Sequence, residues 1–173
     1  RRVLFRSNFI NELLNYASVG RKDDSNTTIF LSKVMEKVLQ NLENIINNSN
    51  AIINYTNLPE IKGNFTFLTQ LFQNLVANAI KYNNSEKPKI DIGYEIQPEC
   101  LKFYVKDNGI GIDPKYKDTI FEVFNRGNQP KQYSGNGIGL AICRKIIENM
   151  NGEIWFESEL GKGTEFYFTL PKT

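Results

Sequence analysis

The sequence lacks several features that mark other classes of protein. Only two of its 173 residues are cysteine, Cys100 and Cys143, so we expect no disulfide framework and a reducing compartment. No apolar stretch approaches the roughly 20 residues needed to cross a bilayer, and no signal-peptide core is present. The formal net charge is only +2 and the basic residues are dispersed, which predicts no nucleic-acid partner. We therefore expect a cytoplasmic domain, and whether the full-length protein is membrane-anchored stays open.

The chain divides into four segments. Residues 1–7 resemble the translated end of a widely used sequencing adapter, and we interpret them as a scar. The alternative is an ordinary start of a basic and apolar helix. Residues 8–19 have amphipathic helical spacing, and residues 20–28 are polar and turn-rich, which predicts a linker. The remainder, residues 29–173, is long enough for one ordinary domain.

Apolar periodicity predicts alternating helices and strands in this domain. The predicted helices are Ser32 to about Asn48 with Ser32 as the N-cap, Phe65 to about Tyr82 after Gly63-Asn64, and Asn136 to Met150. The predicted strands are Ala51 to Asn57, Lys89 to Ile96, Leu101 to Lys106, Glu153 to Ser158 and Thr164 to Leu170. The segment from Pro114 to Ser134 is interpreted as a mobile lid. Helices beside strands that come mainly in hairpins predict an α+β two-layer sandwich.

Three polar side chains share one face of the second predicted helix. Asn74 and Asn78 are four residues apart, and Lys81 continues the same face. Carboxamide oxygens and an ammonium group can hold a hydrated Mg²⁺ and neutralise phosphate oxygens, since Mg²⁺ takes few protein ligands beside water and substrate phosphates. The alternative is an ordinary polar helix face in solvent.

Asp107 ends a predicted strand and begins the run Asp107-Asn108-Gly109-Ile110-Gly111-Ile112. A carboxylate that points into a crevice there can accept a hydrogen bond from the exocyclic amine of a purine, which favours adenine over guanine. The alternative is an Asn-Gly turn that Asp107 caps.

A second glycine run, with Gly135, Gly137 and Gly139, precedes the third predicted helix. Exposed N–H groups at a helix N-terminus form an anion cradle, although such a run is sometimes only a tight packing turn. The strand that should lead into a dinucleotide fingerprint is missing, which argues against a Rossmann site.

Together these motifs resemble the catalytic and ATP-binding domain of sensor histidine kinases, within the GHKL superfamily that also includes type II topoisomerases and mismatch-repair ATPases. The matching boxes are residues 71–82 (N box), 107–112 (first glycine box), 121–126 (F box), 135–140 (second glycine box) and 161–164 (final glycine box). Residues 8–19 resemble the end of the second dimerisation helix of that family. The resemblance implies a Bergerat-type two-layer α/β sandwich with a mixed, mostly antiparallel sheet and three main helices on one face.

The resemblance also implies a role for each matching residue. Asn78 would coordinate Mg²⁺, Asn74 would help to organise it, and Lys81 would reach the phosphates; these three are the implied catalytic set. Tyr82 would lie against the adenine, Asp107 would accept from its amino group, and Thr164 would support it by hydrogen bonding. The other implied ATP-binding residues shape the adenine pocket or cradle the phosphates, and they are Gly109, Gly111, Ile112, Arg126, Gly135, Gly137, Ile138, Gly139 and Leu140.

Position 74 separates transfer from hydrolysis. The ATP-hydrolysing relatives have a Glu there that activates water, whereas the amide of Asn74 cannot take up that proton. We therefore expect transfer to a protein rather than fast hydrolysis. A serine kinase that acts on an anti-sigma partner shares the fold, but it too would be expected to have Glu at this position.

The 173 residues contain no histidine, so the phosphoacceptor that the family uses is not among them. The resemblance implies a homodimer when full length, transfer of the γ-phosphoryl group of Mg-ATP to a histidine of the dimerisation domain, and relay to an aspartate of a response regulator receiver domain. We expect the chain alone to bind ATP without autophosphorylation. The alternative is a non-catalytic nucleotide-binding scaffold of a degenerate sensor protein.

Overall fold

A computed structural model describes residues 10, 11, 13, 14, 16–19, 27–125 and 137–172. The predicted scar, residues 20–26 of the predicted linker, Arg126 and Gly135 lie outside these described residues.

The described strands form two sheets. A small antiparallel pair joins β1 (Thr27–Phe30) and β3 (Glu60–Gly63). The main sheet consists of β2 (Ile52–Tyr55), β4 (Lys89–Ile96), β5 (Cys100–Asp107), β6 (Ile154–Glu159) and β7 (Gly163–Pro171). Its strand order is β2-β4-β5-β7-β6, and all neighbours are antiparallel except β2 and β4. The predicted mixed, mostly antiparallel sheet is therefore confirmed.

Three helices pack on one face of this sheet, namely α2 (Leu31–Ser49), α3 (Phe65–Lys81) and α4 (Gly139–Asn149). A shorter helix, α1, lies within residues 10–18. Helix α3 lies between α2 and α4 and supplies the core, because its apolar positions recur at helical spacing. Phe72 of α3 is fully buried against Phe103 of β5 and Phe168 of β7, with ring centroids 6.5 and 5.6 Å away. The two-layer α+β sandwich is confirmed.

The alternation of each central strand explains why only one face is covered. In β5 the buried residues Leu101, Phe103 and Val105 alternate with Lys102 and Tyr104, which are less buried and belong to the opposite face. This pattern is typical of an antiparallel sheet with one solvated face. The domain consequently builds its site at the edge where strands end and helices begin, not on the open face.

Helix α1 contacts α4. Lys145 Nζ donates to the carbonyl of Tyr16 at 2.7 Å and lies 4.3 Å from the centre of its ring. Asn149 donates to the carbonyl of Val19, whose side chain is buried. Within the described ranges, every helix is too short or too polar to cross a bilayer.

Several predicted boundaries are wrong. Helix α2 begins at Leu31, and Phe30 rather than Ser32 holds the N-cap position, without a side-chain hydrogen bond. The cause is that β1 continues directly into α2, so the N–H of Leu31 is bound by the carbonyl of Pro59 instead of a capping hydroxyl. Thr27 and Thr28, assigned to the linker, lie in β1.

Two further predictions need correction near the site. Helix α4 begins at Gly139 rather than Asn136, because Gly137 has a φ of 68°, which is not helical. The first part of the predicted lid contains a short 3₁₀ turn, Pro114–Tyr116, followed by Ile120 and Phe121, which are both buried in the core. That part of the predicted lid therefore packs against the domain core. The rest of the predicted lid, from Arg126, lies outside the described residues.

Candidate functional site

Asp107 lies where β5 ends, with both of its protein hydrogen bonds on one oxygen. Oδ1 accepts from the N–H of Gly109 at 2.8 Å and from the N–H of Thr164 at 3.1 Å. Within the described part of the chain, no protein hydrogen bond reaches Oδ2. Burial raises the pKa of Asp107 to about 6, although these two N–H bonds act to lower it. A partly buried carboxylate oxygen without a protein donor is suited to accept from a ligand N–H.

The first glycine box follows Asp107 and passes very close to neighbouring backbone. The N–H of Ile110 donates to the carbonyl of Tyr82 at 3.0 Å, and a Cβ on Gly109 would lie 2.4 Å from that same oxygen. The carbonyl of Ile110 accepts from the N–H of Gly161 in the turn between β6 and β7, and Gly111 has a φ of 75°. Glycine at position 109 is therefore required for the end of α3 and the loop to meet.

The final glycine box closes the other side of Asp107. Gly163 has a φ of 110°, and a Cβ there would lie 2.1 Å from the carbonyl oxygen of Asp107. Thr164 follows, with its side chain buried and its N–H bound to Asp107. Only glycine allows β7 to approach Asp107 in this conformation.

A serine hydroxyl joins the first and final glycine boxes. Ser158 Oγ accepts from the N–H of Ile112 at 2.7 Å and lies 2.8 Å from the carbonyl oxygen of Gly163 and 2.9 Å from Thr164 Oγ1. Ser158 was not among the predicted site residues, although its alternation with Ile154 and Phe156 along β6 points it toward the helices.

Two asparagines that were not among the predicted site residues brace the loop after Asp107. Asn108 Oδ1 accepts from Asn83 Nδ2 and from the N–H of Lys89, both at 2.8 Å. Asn83 Oδ1 in turn accepts from the N–H of Ser85 at 2.9 Å. The signal available in the sequence was the Asn-Gly pair, which indicates a turn but not its partners. The braces hold the segment after Tyr82 against the start of the glycine box.

The polar face of α3 lies toward the start of α4. Asn74 Nδ2 donates to the carbonyl of Gly139 at 3.2 Å, which brings two residues from different predicted boxes together. Asn78 and Lys81 follow on the same face and are half-buried, and the ammonium group of Lys81 lies 4.7 Å from the centre of the Tyr82 ring. The structure thus places Lys81 on Tyr82, the residue predicted to lie against the adenine.

The second glycine box leads into α4. The carbonyl of Gly137 accepts from the N–H of Phe124 at 2.9 Å, which joins this box to the F box. Ile138 is buried in the core, and Gly139 and Leu140 are the first residues of the helix, where N–H groups are not used inside the helix. Arg126 and Gly135, the other residues predicted to contact phosphate, lie outside the described residues.

Both cysteines are free thiols. Burial raises the pKa of Cys143 to about 12, so this thiol is not a nucleophile. Within the described ranges, no group of three or more His, Cys, Asp and Glu side chains is arranged to hold a metal ion.

These features define a class of protein. The site combines a half-buried carboxylate that has one oxygen unused by described protein donors, glycines that admit close backbone approach, and an amide-bearing helix beside a helix N-terminus. Such a combination suits the binding of a nucleotide. The chain is an ATP-binding domain built on an α+β sandwich.

Comparison with known proteins supports the assignment as an ATP-binding domain. Residues 63–173 match the model of the family described as histidine kinase-, DNA gyrase B- and HSP90-like ATPase. Cyanobacterial phytochrome A of Nostoc sp. (strain PCC 7120) is 44% identical over 98% of this chain, and the chain spans 22% of that relative's length. A solved catalytic domain of the histidine kinase ThkA is 32% identical, covers 85% of this chain and 97% of its own, and has a TM-score of 0.71.

A second ThkA structure, in complex with the response regulator protein TrrA, is 26% identical with a TM-score of 0.75, and the match covers 99% of this chain and 48% of that one. The chain belongs to the family of histidine kinase-, DNA gyrase B- and HSP90-like ATPases. Within that family its counterparts are the catalytic domains of histidine kinases. The roles assigned to individual site residues stay predictions.

Proposed function

We propose that the intact protein is a sensor histidine kinase whose catalytic domain, represented by this chain, binds Mg-ATP and transfers the γ-phosphoryl group to a histidine of a dimerisation domain. The phosphoryl group then passes to an aspartate of a response regulator. The observation that carries the nucleotide half of this proposal is Asp107, held by two backbone N–H groups on Oδ1 while Oδ2 has no protein donor among the described residues. The capture of ThkA with a response regulator supports the relay.

The residues of this chain contribute position and charge rather than acid-base chemistry. Phosphoryl transfer depends mainly on alignment and electrostatic stabilisation. Asp107 and Thr164 would bind the base, while Lys81 and the N–H groups at the start of α4 would bind phosphate oxygens. Asn74, which bonds to Gly139, orients α3 against α4 and offers no base for water.

The donor set of the site fits magnesium when phosphates supply the other ligands. Asn78 is the residue that would hold the ion, since carboxamide and phosphate oxygens are the hard ligands that Mg²⁺ prefers. A bound Mg²⁺ would neutralise charge on the phosphate oxygens. The half-buried position of Asn78, one turn from both Asn74 and Lys81, is consistent with this role.

The homodimer is supported by the exposed face of α1. Ile10 and Leu14 are four residues apart, and 54% and 62% of their surfaces are exposed. Such an i, i+4 apolar pair lies on one helix face and packs favourably against another helix. We infer that α1 is the end of a dimerisation helix and that the domain works in the cytoplasm, where free thiols stay reduced.

The decisive experiment is titration calorimetry of ATP into the chain with and without Mg²⁺. Asn78→Ala should lower the affinity for Mg-ATP by about 100-fold and remove the dependence on Mg²⁺, because the protein ligand of the ion is lost. Asn47→Ala, which removes an exposed amide from α2, is the matched control and should bind like the wild type. An unchanged affinity of Asn78→Ala would refute its metal role.

Transfer of the γ-phosphoryl group is tested in a second assay. The chain is incubated with γ-labelled ATP and a supplied helical domain that carries a phosphoacceptor histidine, and acid-labile label on that domain is measured. Label that depends on Asn78 supports the kinase. Tight ATP binding without any transfer would favour a non-catalytic scaffold.

A further inference from the structure

The hydroxyl of Ser158 is shared among three groups that belong to the first and final glycine boxes. Its Oγ lies 2.7 Å from the amide nitrogen of Ile112, 2.8 Å from the carbonyl oxygen of Gly163 and 2.9 Å from Thr164 Oγ1. All three distances are those of good hydrogen bonds. Ser158 has therefore a full set of partners without any ligand.

The direction of each bond follows from counting protons. A hydroxyl has one proton and two lone pairs. The N–H of Ile112 can only donate, so it takes one lone pair of Ser158, and the carbonyl of Gly163 can only accept, so it receives the single proton of Ser158. The second lone pair of Ser158 then accepts the proton of Thr164. If Ser158 donated to Thr164 instead, two oxygens without a proton between them would face each other at 2.8 Å.

This arrangement makes Thr164 an acceptor toward a bound molecule. Its proton points to Ser158, so its remaining lone pairs are what it can offer to that molecule. The carboxylate of Asp107 lies beside Thr164, since Oδ1 accepts from the N–H of Thr164 at 3.1 Å, and it too is an acceptor. Adenine carries an amino group at the position where guanine carries a carbonyl, and two acceptors attract the first and repel the second.

We propose that Ser158 is a positioning residue that sets purine selectivity, because it fixes the hydroxyl of Thr164 as a hydrogen-bond acceptor. The proposal rests on the ATP-binding function and deepens it. Ser158 acts only through Thr164, so its removal frees the Thr164 proton to rotate and to donate to a guanine carbonyl.

The test compares the affinities of ATP and GTP, with Mg²⁺, for the wild type and for Ser158→Ala. Because both nucleotides carry the same phosphates, their affinity ratio reports the base alone. We expect the ratio to fall about tenfold in Ser158→Ala, the worth of one hydrogen bond. Thr169→Val is the matched control, because Thr169 Oγ1 also accepts a backbone N–H, that of Glu153, but lies toward the other end of β7 from Thr164. Its ratio should equal that of the wild type.

A double-mutant cycle distinguishes selectivity from a loss of structure. Thr164→Val should lower the ratio by itself, and Ser158→Ala should add nothing further in that background. If Ser158→Ala does not fold, Ser158→Cys carries the test, since its weakly bonding thiol should give an intermediate ratio. Additive effects of the two substitutions, or an unchanged ratio in a folded Ser158 variant, would overturn the proposal while ATP binding stands. A wild-type chain that binds no ATP would overturn both.

Discussion

The two halves of the site differ in how the protein holds them. In the half proposed to bind the base (the base half), formed by Asp107, Gly109, Ser158 and Thr164, backbone N–H groups donate to the Asp107 carboxylate and the Ser158 hydroxyl at 2.7 to 3.1 Å. In the half proposed to bind phosphates (the phosphate half), the polar side chains of Asn74, Asn78 and Lys81 belong to α3, and Gly137 and Gly139 lie at the start of α4. There Asn74 is tied to Gly139, and the ammonium of Lys81 lies on the Tyr82 ring.

This difference indicates when each half takes its binding geometry. The base half is organised before a ligand arrives, so little ordering free energy opposes recognition of the base. In the phosphate half, the proposed contact of Lys81 with a phosphate would require its ammonium group to leave the Tyr82 ring, which gives up a contact worth about 0.5–1 kcal/mol. Selectivity for the base should therefore depend on packing and backbone bonds, whereas phosphate affinity should depend on charge.

The largest effect on stability and on ATP binding should come from a side chain that sterically obstructs the base half. Gly163→Ala would put a Cβ 2.1 Å from the carbonyl oxygen of Asp107, at a φ of 110° that side chains rarely adopt. We expect the free energy of unfolding to fall by about 3 kcal/mol or more and ATP binding to be lost. Urea denaturation and calorimetry measure these two quantities.

Gly161→Ala is the matched control for that variant. Gly161 also has a positive φ, 80°, but no atom lies within 4 Å of its added Cβ. Only backbone strain remains, so we expect a loss of about 1–2 kcal/mol and nearly normal ATP affinity. Equal effects of the two substitutions would mean that strain, not the approach of β7 to Asp107, makes Gly163 necessary.

The parts of the fold that the sequence predicted are those governed by local periodicity. The apolar spacing of α3 and the alternation of β4 and β5 are strong over 17 and 8 residues, and the side chain of Asn64 caps α3 through the N–H of Phe67. Strand β3 has only four residues and is stabilised by its pairing with β1, a contact that no local pattern reveals. The same tertiary pairing displaced the predicted cap from Ser32.

The residues of the site likewise divide into those that a local motif reveals and those that only the fold reveals. Asp107 and Gly109 were identified because a short motif contains them, and the structure brings them together with Thr164 from a distant strand. Ser158 was missed because its function depends on Ile112 and Gly163, which are near it only in three dimensions. A sequence motif can thus indicate a nucleotide pocket, while the hydroxyl that orients its acceptors becomes visible only in the fold.

The next largest effect should come from removing the charge and one acceptor in the base half. Asp107→Asn keeps one oxygen for the N–H groups of Gly109 and Thr164 but replaces the other by an amide NH₂, which repels an adenine amine. We expect ATP affinity to fall roughly 10–100-fold and discrimination against GTP to relax. Competition binding with both nucleotides measures this. Asp91→Asn, whose carboxylate accepts from Asn54 on the open face of the sheet, should change neither quantity. Retained adenine preference in Asp107→Asn would remove Asp107 from base recognition.

A smaller effect is expected from the phosphate half, and it should depend on the phosphates of the ligand. Lys81→Met keeps an unbranched side chain without the ammonium, so ATP affinity should fall about tenfold while adenosine affinity stays the same. Calorimetry with both ligands measures the contrast, and the exposed Lys87→Met serves as the control. Equal losses for ATP and adenosine would show that Lys81 acts through Tyr82 and the base instead.

The smallest effect is a pH dependence that belongs to the base half. Burial raises the pKa of Asp107 from 3.8 to about 6 in the folded protein. The folded state therefore binds this proton more tightly than the unfolded state does. The contribution of Asp107 to stability is fully present below about pH 4 and is lost as the pH rises through about 6. Asp107→Asn should remove this component from the pH profile of urea denaturation between pH 4 and 7.

Ligand binding should show the opposite trend, because an amine donor favours the ionised carboxylate. Adenosine is the suitable probe, since it has no phosphates that titrate in this range. Its affinity should fall about fourfold between pH 7.5 and 5.5, in proportion to the ionised fraction of a group whose pKa is about 6. Asp107→Asn should bind adenosine weakly and equally at both pH values. A profile that is flat in the wild type would mean that the base is bound without the charge of Asp107, and the preorganised base half would then depend on the hydroxyl of Thr164 alone.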